Sequence, residues 1–170
     1  MNFYTFKRGT VVMANFSPQV GSEIKGKHFA IVLTKKDRNN NELLTVIPLT
    51  SKYHKYHLDL GDEIKNSIWT GISVVQNNMH RDLSNKDIPP LELLEITTEA
   101  SQMQMAVLRR YVGLKEHSYA KIHQITTISK LRIVKPVNVL DPIRRLKVSN
   151  EVLDKIDKKI VELFTTIDID

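Results

Sequence analysis

Histidine moves protons near neutral pH because its unperturbed pKa lies at about 6.5, and six histidines are spread along this 170-residue chain. His28 stands at a junction, after the glycine-punctuated stretch 17–27 and at the head of the apolar run 28–34. A flexible cover over such a junction could shut water out of a reaction. Residues 51–57, Ser51-Lys52-Tyr53-His54-Lys55-Tyr56-His57, interleave basic and aromatic side chains. Aromatic faces stack unpaired bases while lysines follow a phosphate backbone; the plainer reading is a solvated connection between strands. His80-Arg81 offers a second acid beside a phosphate clamp, provided the stretch after residues 71–76 folds towards the same place.

Other chemistry has little material. His54 and His57 are three apart, a spacing that only a helix or tight turn brings together, and no carboxylate in that run completes a ligand set, so no metal is expected. His117 and His123 read as surface or strand residues. Phosphate-cradling glycine loops, dinucleotide fingerprints and serine nucleophile elbows are absent. The chain has no cysteine, which removes disulfides, thiolate ligands and thiol nucleophiles and suits a reducing cytosol. No cofactor is expected.

The elements that must position these groups are mostly short strands. Residues 10–16 (TVVMANF) are β-branched and alternate, 28–34 (HFAIVLT) read as a strand covered on both faces, and 43–49 (LLTVIPL) as its return. Between the first two, Pro18, Gly21 and Gly26 punctuate a long mobile loop. Pro48 cannot donate to a ladder, so its strand should fray, bulge or lie at an edge there. Residues 56–60 and 71–76 read as two further strands with Trp69 filling core volume between them, and 119–125 and 131–134 as later ones. Pro89 and Pro90 open a helix that reaches Tyr111, with a break near Thr97 and Thr98. Ser149 caps a final helix that sets Leu153, Ile156, Ile160 and Phe164 on one face. Short strands, one long loop and a closing helix predict a mainly β, α+β molecule built on a small closed or half-open barrel.

This length supports one core and a single domain over residues 1–170. A net charge of +6 favours phosphate-rich partners. No stretch approaches the roughly 20 apolar residues of a membrane span, and residues 1–8 lack a signal-peptide core. The expectation is a soluble, cytoplasmic protein with no membrane contact.

Two stretches give the chain a specific likeness. Lys7-Arg8-Gly9-Thr10-Val11-Val12 followed by Phe16-Ser17-Pro18-Gln19-Val20-Gly21-Ser22-Glu23 resembles the opening of the MazF/PemK toxins, whose first strand runs into a Ser-Pro…Gly-Ser-Glu loop. Gln124-Ile125-Thr126-Thr127-Ile128-Ser129-Lys130 resembles the family's Gln-Ile-Arg-Thr-Ile-Asp-Lys strand and turn, and residues 152–163 its closing helix. The likeness implies an SH3-like small β-barrel of the MazF/CcdB type with a C-terminal helix. Residues 67–117 have no counterpart in short members and read as a helical insertion.

The resemblance also implies an activity: metal-independent cutting of single-stranded RNA or mRNA by the toxin of a type II toxin–antitoxin pair, acting as a homodimer and held in check by an antitoxin. In such a reaction a base takes the 2′-hydroxyl proton, the oxygen attacks its own phosphate, and an acid protonates the departing 5′-oxygen. The products are a 2′,3′-cyclic phosphate and a 5′-hydroxyl. An arginine opening the second strand and a threonine closing the third form the family's site beneath the loop. Thr50 matches the threonine, whereas His28 stands at the arginine and Thr126 at the arginine of Gln-Ile-Arg. By this reading His28 is the general base or acid and Thr50 a hydroxyl donor to the phosphate. Ser22, Glu23, Lys25, Lys27, Ser51, Lys52, Tyr53, His80 and Arg81 bind substrate. Loss of both arginines removes paired phosphate hydrogen bonds and leaves a non-catalytic nucleic-acid- or partner-binding barrel as the alternative. A gyrase poison of the CcdB type is a further rival: those toxins are marked by an aromatic residue near the end of the closing helix, whereas this chain ends in Thr-Thr-Ile-Asp-Ile-Asp.

Overall fold

The computed structural model describes residues 2–18, 20–84 and 87–166. Gln19 of the loop motif and the last four residues of the chain lie outside the described residues. Strands β1 (Val11–Asn15), β2 (Lys27–Val32) and β3 (Leu43–Thr50) form an antiparallel meander. Helices α1 (Glu63–Ser84) and α2 (Pro90–Tyr111) follow a two-residue strand β4 (Leu58–Asp59). The chain then returns through β5 (Tyr119–Ala120) and β6 (Thr126–Ser129) to the closing helix α3 (Asn150–Phe164). The architecture is α+β, as the sequence predicts.

Proline 48 divides β3. Before it, residues 43–46 pair with β6; after it, Leu49 and Thr50 pair with β5, which also carries β4. Its carbonyl accepts a hydrogen bond from the Lys121 N–H at 2.9 Å. The proline therefore marks a change of partner in mid-strand rather than a frayed end. The continuous ladder stays open. A lone antiparallel bridge between Ala14 and Ile133, with the Val134 N–H on the Met13 carbonyl at 2.8 Å, brings the chain after β6 back to β1. Residues 146–148 cover the other end of the same β1 edge, the Val11 N–H donating to Leu146 O at 2.9 Å. An edge so covered offers no template for another strand.

Strand alternation sends side chains to two separate cores. Val12, Ala14, Ala30, Val32, Leu44, Val46 and Ile128 line the inner face with Phe16 and Ile24. Val11, Ile31, Ile47 and Leu49 line the outer face, where Ile64, Ile68 and Ile72 of α1, Val107 and Tyr111 of α2 and Ile156 of α3 cover them. Ala30, Ile31 and Val32 are all fully buried, so the apolar run 28–34 does lie between two layers.

Several sequence expectations change here. Residues 71–76 are helical: the four-residue spacing of Ile64, Ile68 and Ile72 places one stripe on the core, and that burial outweighs the β-preference of Ile72, Val74 and Val75. Trp69 of the same helix is 36% exposed and fills no core. Gly71 has a steric reason, since a Cβ there would meet Pro142 Cβ at 2.7 Å. Helix α2 runs unbroken because the Thr97 and Thr98 hydroxyls donate back to the Leu93 and Leu94 carbonyls at 2.8 and 2.7 Å instead of competing with the helix. The return strand 119–125 shortens to two residues and a 3-10 turn (Ile122–Gln124), and residues 131–134 keep only the Ile133 bridge. Ser149 caps α3 as expected, its Oγ accepting the Val152 N–H at 3.3 Å, although Phe164 ends up 57% exposed.

Polar anchors hold the layers together. Asp141, with no exposed side chain, accepts the Tyr111 hydroxyl at 2.5 Å, Arg110 at 2.9 Å and the backbone N–H groups of Val137 and Ile143. Lys130 meets Asp37 at 2.7 Å in an equally dry setting, and the Phe6 N–H donates to the same carboxylate at 2.8 Å.

Candidate active site

Beyond Ala30 and Pro48 the β2–β3 ladder stops, and its two strands go to different partners. His28 belongs to the inner face, because its cross-strand partner on β1 is Ala14 and its same-face neighbour is Ala30. Thr50 falls on that face too, two and four residues after Pro48 and Val46. Carried two residues past the Ala30–Pro48 pair, the register would set His28 directly against Thr50. The place where β2 and β3 part, the mouth, thus has His28 on one strand and Thr50 on the other.

Both groups are oriented by local hydrogen bonds. The His28 Nε2–H donates to the Lys25 carbonyl at 2.9 Å, which leaves Nδ1 as the basic nitrogen of the neutral ring. Thr50 Oγ1 accepts the Lys52 N–H at 3.2 Å, and its own proton remains to be donated.

The loop between β1 and β2 covers the inner core at this end. Ile24 inserts into that core, and the Gln124 side chain holds the loop on either side, accepting the Ile24 N–H at 3.1 Å and donating to Ser22 O at 3.2 Å. Gly26 and Gly21 take positive φ of 81° and 60°, a region that favours glycine. Arg132 donates to Ser17 O at 2.7 Å, and the Glu23 carboxylate accepts the Val20 N–H at 3.1 Å. Where the sequence suggests a mobile segment, the structure shows a cover tied at several points. Lys25 and Lys27 are exposed, and no ion pair holds either among the described residues.

On the other lip, Ser51, Lys52 and Tyr53 follow Thr50 directly, and the turn they begin is lined with rings. Tyr53 meets Tyr119 edge-on at 5.8 Å between centroids, and Tyr119 is the register partner of Thr50. His54 lies 5.2 Å from both Tyr56 and His57, and His57 stacks on His123 at 5.4 Å with ring planes 11° apart. The His57 Nδ1–H donates to Lys52 O at 3.2 Å. Burial lowers the pKa of His57 below the usual histidine value, and the charges of His123, Lys121 and His54 lower it further against the lift from the Lys52 carbonyl. His123 is lowered by burial, then by Lys121 and His54, and Lys121 by burial.

Tyr119, Lys121, His123 and Gln124 are the residues that sequence reasoning missed. Alternation carries the signal for three of them: Ala120 and Ile122 are buried, so Tyr119, Lys121 and His123 face outward together. His80 and Arg81 are not brought to the mouth by any contact. They sit on the last turns of α1, not on a loop, and Arg81 bonds Asn78 at 3.2 Å. At 1.5 Å per residue the helix from Glu63 to His80 is about 25 Å long. Among the described residues no group of three or more His, Asp or Glu side chains could hold a metal ion, and no helix is long and apolar enough to cross a membrane.

Residues 7–112 match the family described as PemK-like, MazF-like toxins of type II toxin–antitoxin systems. The chain belongs to this toxin family. Its match covers the mouth, the loop and both helices of residues 63–111. MazF (Form-I) from Deinococcus radiodurans aligns with the structure over 95% of this chain and 97% of its own, at 16% identity and a TM-score of 0.49. No curated relative matches. In this toxin, the strand position at which the resemblance expects an arginine carries His28, and the position of the Gln-Ile-Arg arginine carries Thr126 on β6, paired with Val46.

Proposed function

We propose that the chain is a toxin that cuts single-stranded RNA without a metal, with His28 and Thr50 as its reacting pair. The observation that carries this reading is their common face at the point where β2 and β3 part, under a loop and beside a ring-lined turn. His28 Nδ1 takes the 2′-hydroxyl proton, while the Thr50 hydroxyl donates to the phosphate on which negative charge develops, a contribution that grows as water is excluded. The 2′-oxygen forms its bond to phosphorus, the bond to the 5′-oxygen breaks, and that oxygen leaves with a proton from solvent at the open mouth. The ends are a 2′,3′-cyclic phosphate and a 5′-hydroxyl. Ser22, Glu23, Lys25 and Lys27 on the loop and Ser51, Lys52 and Tyr53 on the turn flank the strand on either lip.

By the same reading the chain is one domain of residues 1–170 in which α1 and α2 are an insertion, it pairs with a second copy, an antitoxin blocks the mouth, and it acts in the cytoplasm. The test is incubation of single-stranded RNA with the purified chain in EDTA. Cyclic-phosphate ends that disappear with His28→Ala support the reading, and intact RNA over a broad set of sequences contradicts it.

One observation favours a second reading, a barrel that grips nucleic acid without cutting. Both arginine positions are occupied by other residues, and the His28 imidazole already spends one nitrogen on Lys25. That reading expects binding that weakens steeply with salt and yields no cyclic-phosphate product.

A further inference from the structure

The His-rich patch beside the mouth is more basic than the scissile site requires. His54, His57 and His123 form a continuous series of rings 5.2 and 5.4 Å apart, and Lys121 joins them electrostatically. Two hydrogen bonds fix this series to the mouth: Lys52 donates its N–H to the Thr50 hydroxyl and its carbonyl accepts from His57 Nδ1. Each ring keeps a nitrogen edge for a ligand. His57 and His54 use only Nδ1, the latter accepting the Tyr56 N–H at 3.4 Å, and among the described residues neither the His123 ring nor Lys121 Nζ has a hydrogen-bond partner.

Among the described residues no ion pair engages His54, His57, His123 or Lys121. Lys52 and Lys55 come from the same turn, with Lys55 drawn over the Tyr56 ring at 4.8 Å. Tyr119 and His117 come from the β5 side, and the carboxylate recorded there is Asp59, 3.8 Å from His117 and also accepting the Gly61 N–H. Several basic groups therefore gather on one patch, with His57 and Lys121 partly buried and His54 and His123 exposed.

We propose that His54, His57, His123 and Lys121 form a phosphodiester-binding site for a phosphate flanking the scissile one, and that this site takes up protons from solution as the strand binds. It rests on the RNA-cutting reading for the strand that supplies the phosphate. An anion between these groups offsets the burial and charge repulsion that lower the pKa of His57 and His123, so binding and protonation reinforce each other. Affinity then rises as pH falls. A diester keeps one charge throughout this range, so the pH response belongs to the protein.

The test uses the full chain and a short 2′-O-methyl RNA, which offers the same phosphodiesters but no 2′-hydroxyl and cannot be cut. Imidazole NMR titrations are recorded with and without the strand, and affinity is measured at pH 5.5 and 7.5 at one salt concentration. His57 and His123 are expected to titrate at higher pH when the strand is bound, and affinity to be about tenfold greater at the lower pH, as a rise of about one in a single imidazole pKa confers. His123→Phe preserves a stacking ring without a proton and should reduce that ratio, as should Lys121→Gln. Unchanged titration of His57 and His123 on saturation, or a full pH ratio in His123→Phe, overturns the proposal. If unblocked RNA stays intact while the titration shifts appear, the phosphate site stands and the nuclease reading falls. Cleavage without the shifts overturns the site alone.

Discussion

The two faces of the central sheet do different work. The outer face is covered by three helices and anchored by a dry polar hub at Asp141. The inner face encloses a smaller core of strand residues plus Phe16 and Ile24, and its open end carries His28, Thr50 and the loop. The dry hub lies with the helices, while His28 and Thr50, the proposed reacting pair, lie where the ladder ends and backbone partners change. A scaffold made this way lets the mouth vary without endangering the fold.

Breaking the mouth should give the largest change in activity and the smallest in stability. His28→Ala is expected to lower RNA cleavage by about 10²–10⁴-fold with an unchanged thermal midpoint, read by gel assay and calorimetry. Breaking the outer hub should do the reverse. Asp141→Ala strands Arg110 and the Tyr111 hydroxyl in a dry site and should cost about 3–5 kcal/mol, measured by urea unfolding, while cleavage per folded molecule stays near wild type. Gln124→Ala joins the two regimes: it frees the loop at two hydrogen bonds and should cost about 1–2 kcal/mol locally, seen as faster amide exchange at Ile24.

The pH responses are smaller and distinguish the faces again. Burial, reinforced by the Asp141 carboxylate, raises the Tyr111 pKa well above its usual 10.0. The folded state holds that proton, so its contribution is complete below pH 10 and declines as the unfolded phenol ionises above it. His57 and His123 are lowered from 6.5, so above that value both states are neutral and nothing is lost. Below 6.5 the unfolded chain binds protons first, and stability falls until the pH passes the folded-state values. Unfolding curves across pH 5–11 should show both limbs, the acid limb weakened in His123→Phe.

The loop, the three-strand meander, α2 and the closing helix were legible because their signals are local: glycines and a proline, short β-branched and apolar runs, a Pro-Pro start and a serine cap. Residues 71–76 were not, because Ile72, Val74 and Val75 favour strands and only the distant sheet supplies the surface that makes α1 helical. The pairing of His28 with Thr50 came from resemblance, and the β2–β3 ladder ends at Ala30 and Pro48, two residues short of both. Lys121 and His123 stayed hidden because no local pattern tells that β5 returns beside Thr50 and the turn carrying His57.

A double-mutant cycle on RNA cleavage tests the pairing most directly, using wild type, His28→Ala, Thr50→Val and the double variant. If imidazole and hydroxyl act on one phosphate, the losses are strongly non-additive and the double variant is scarcely slower than His28→Ala. Losses that multiply independently, or a Thr50→Val enzyme as fast as wild type, would contradict a shared site at the mouth.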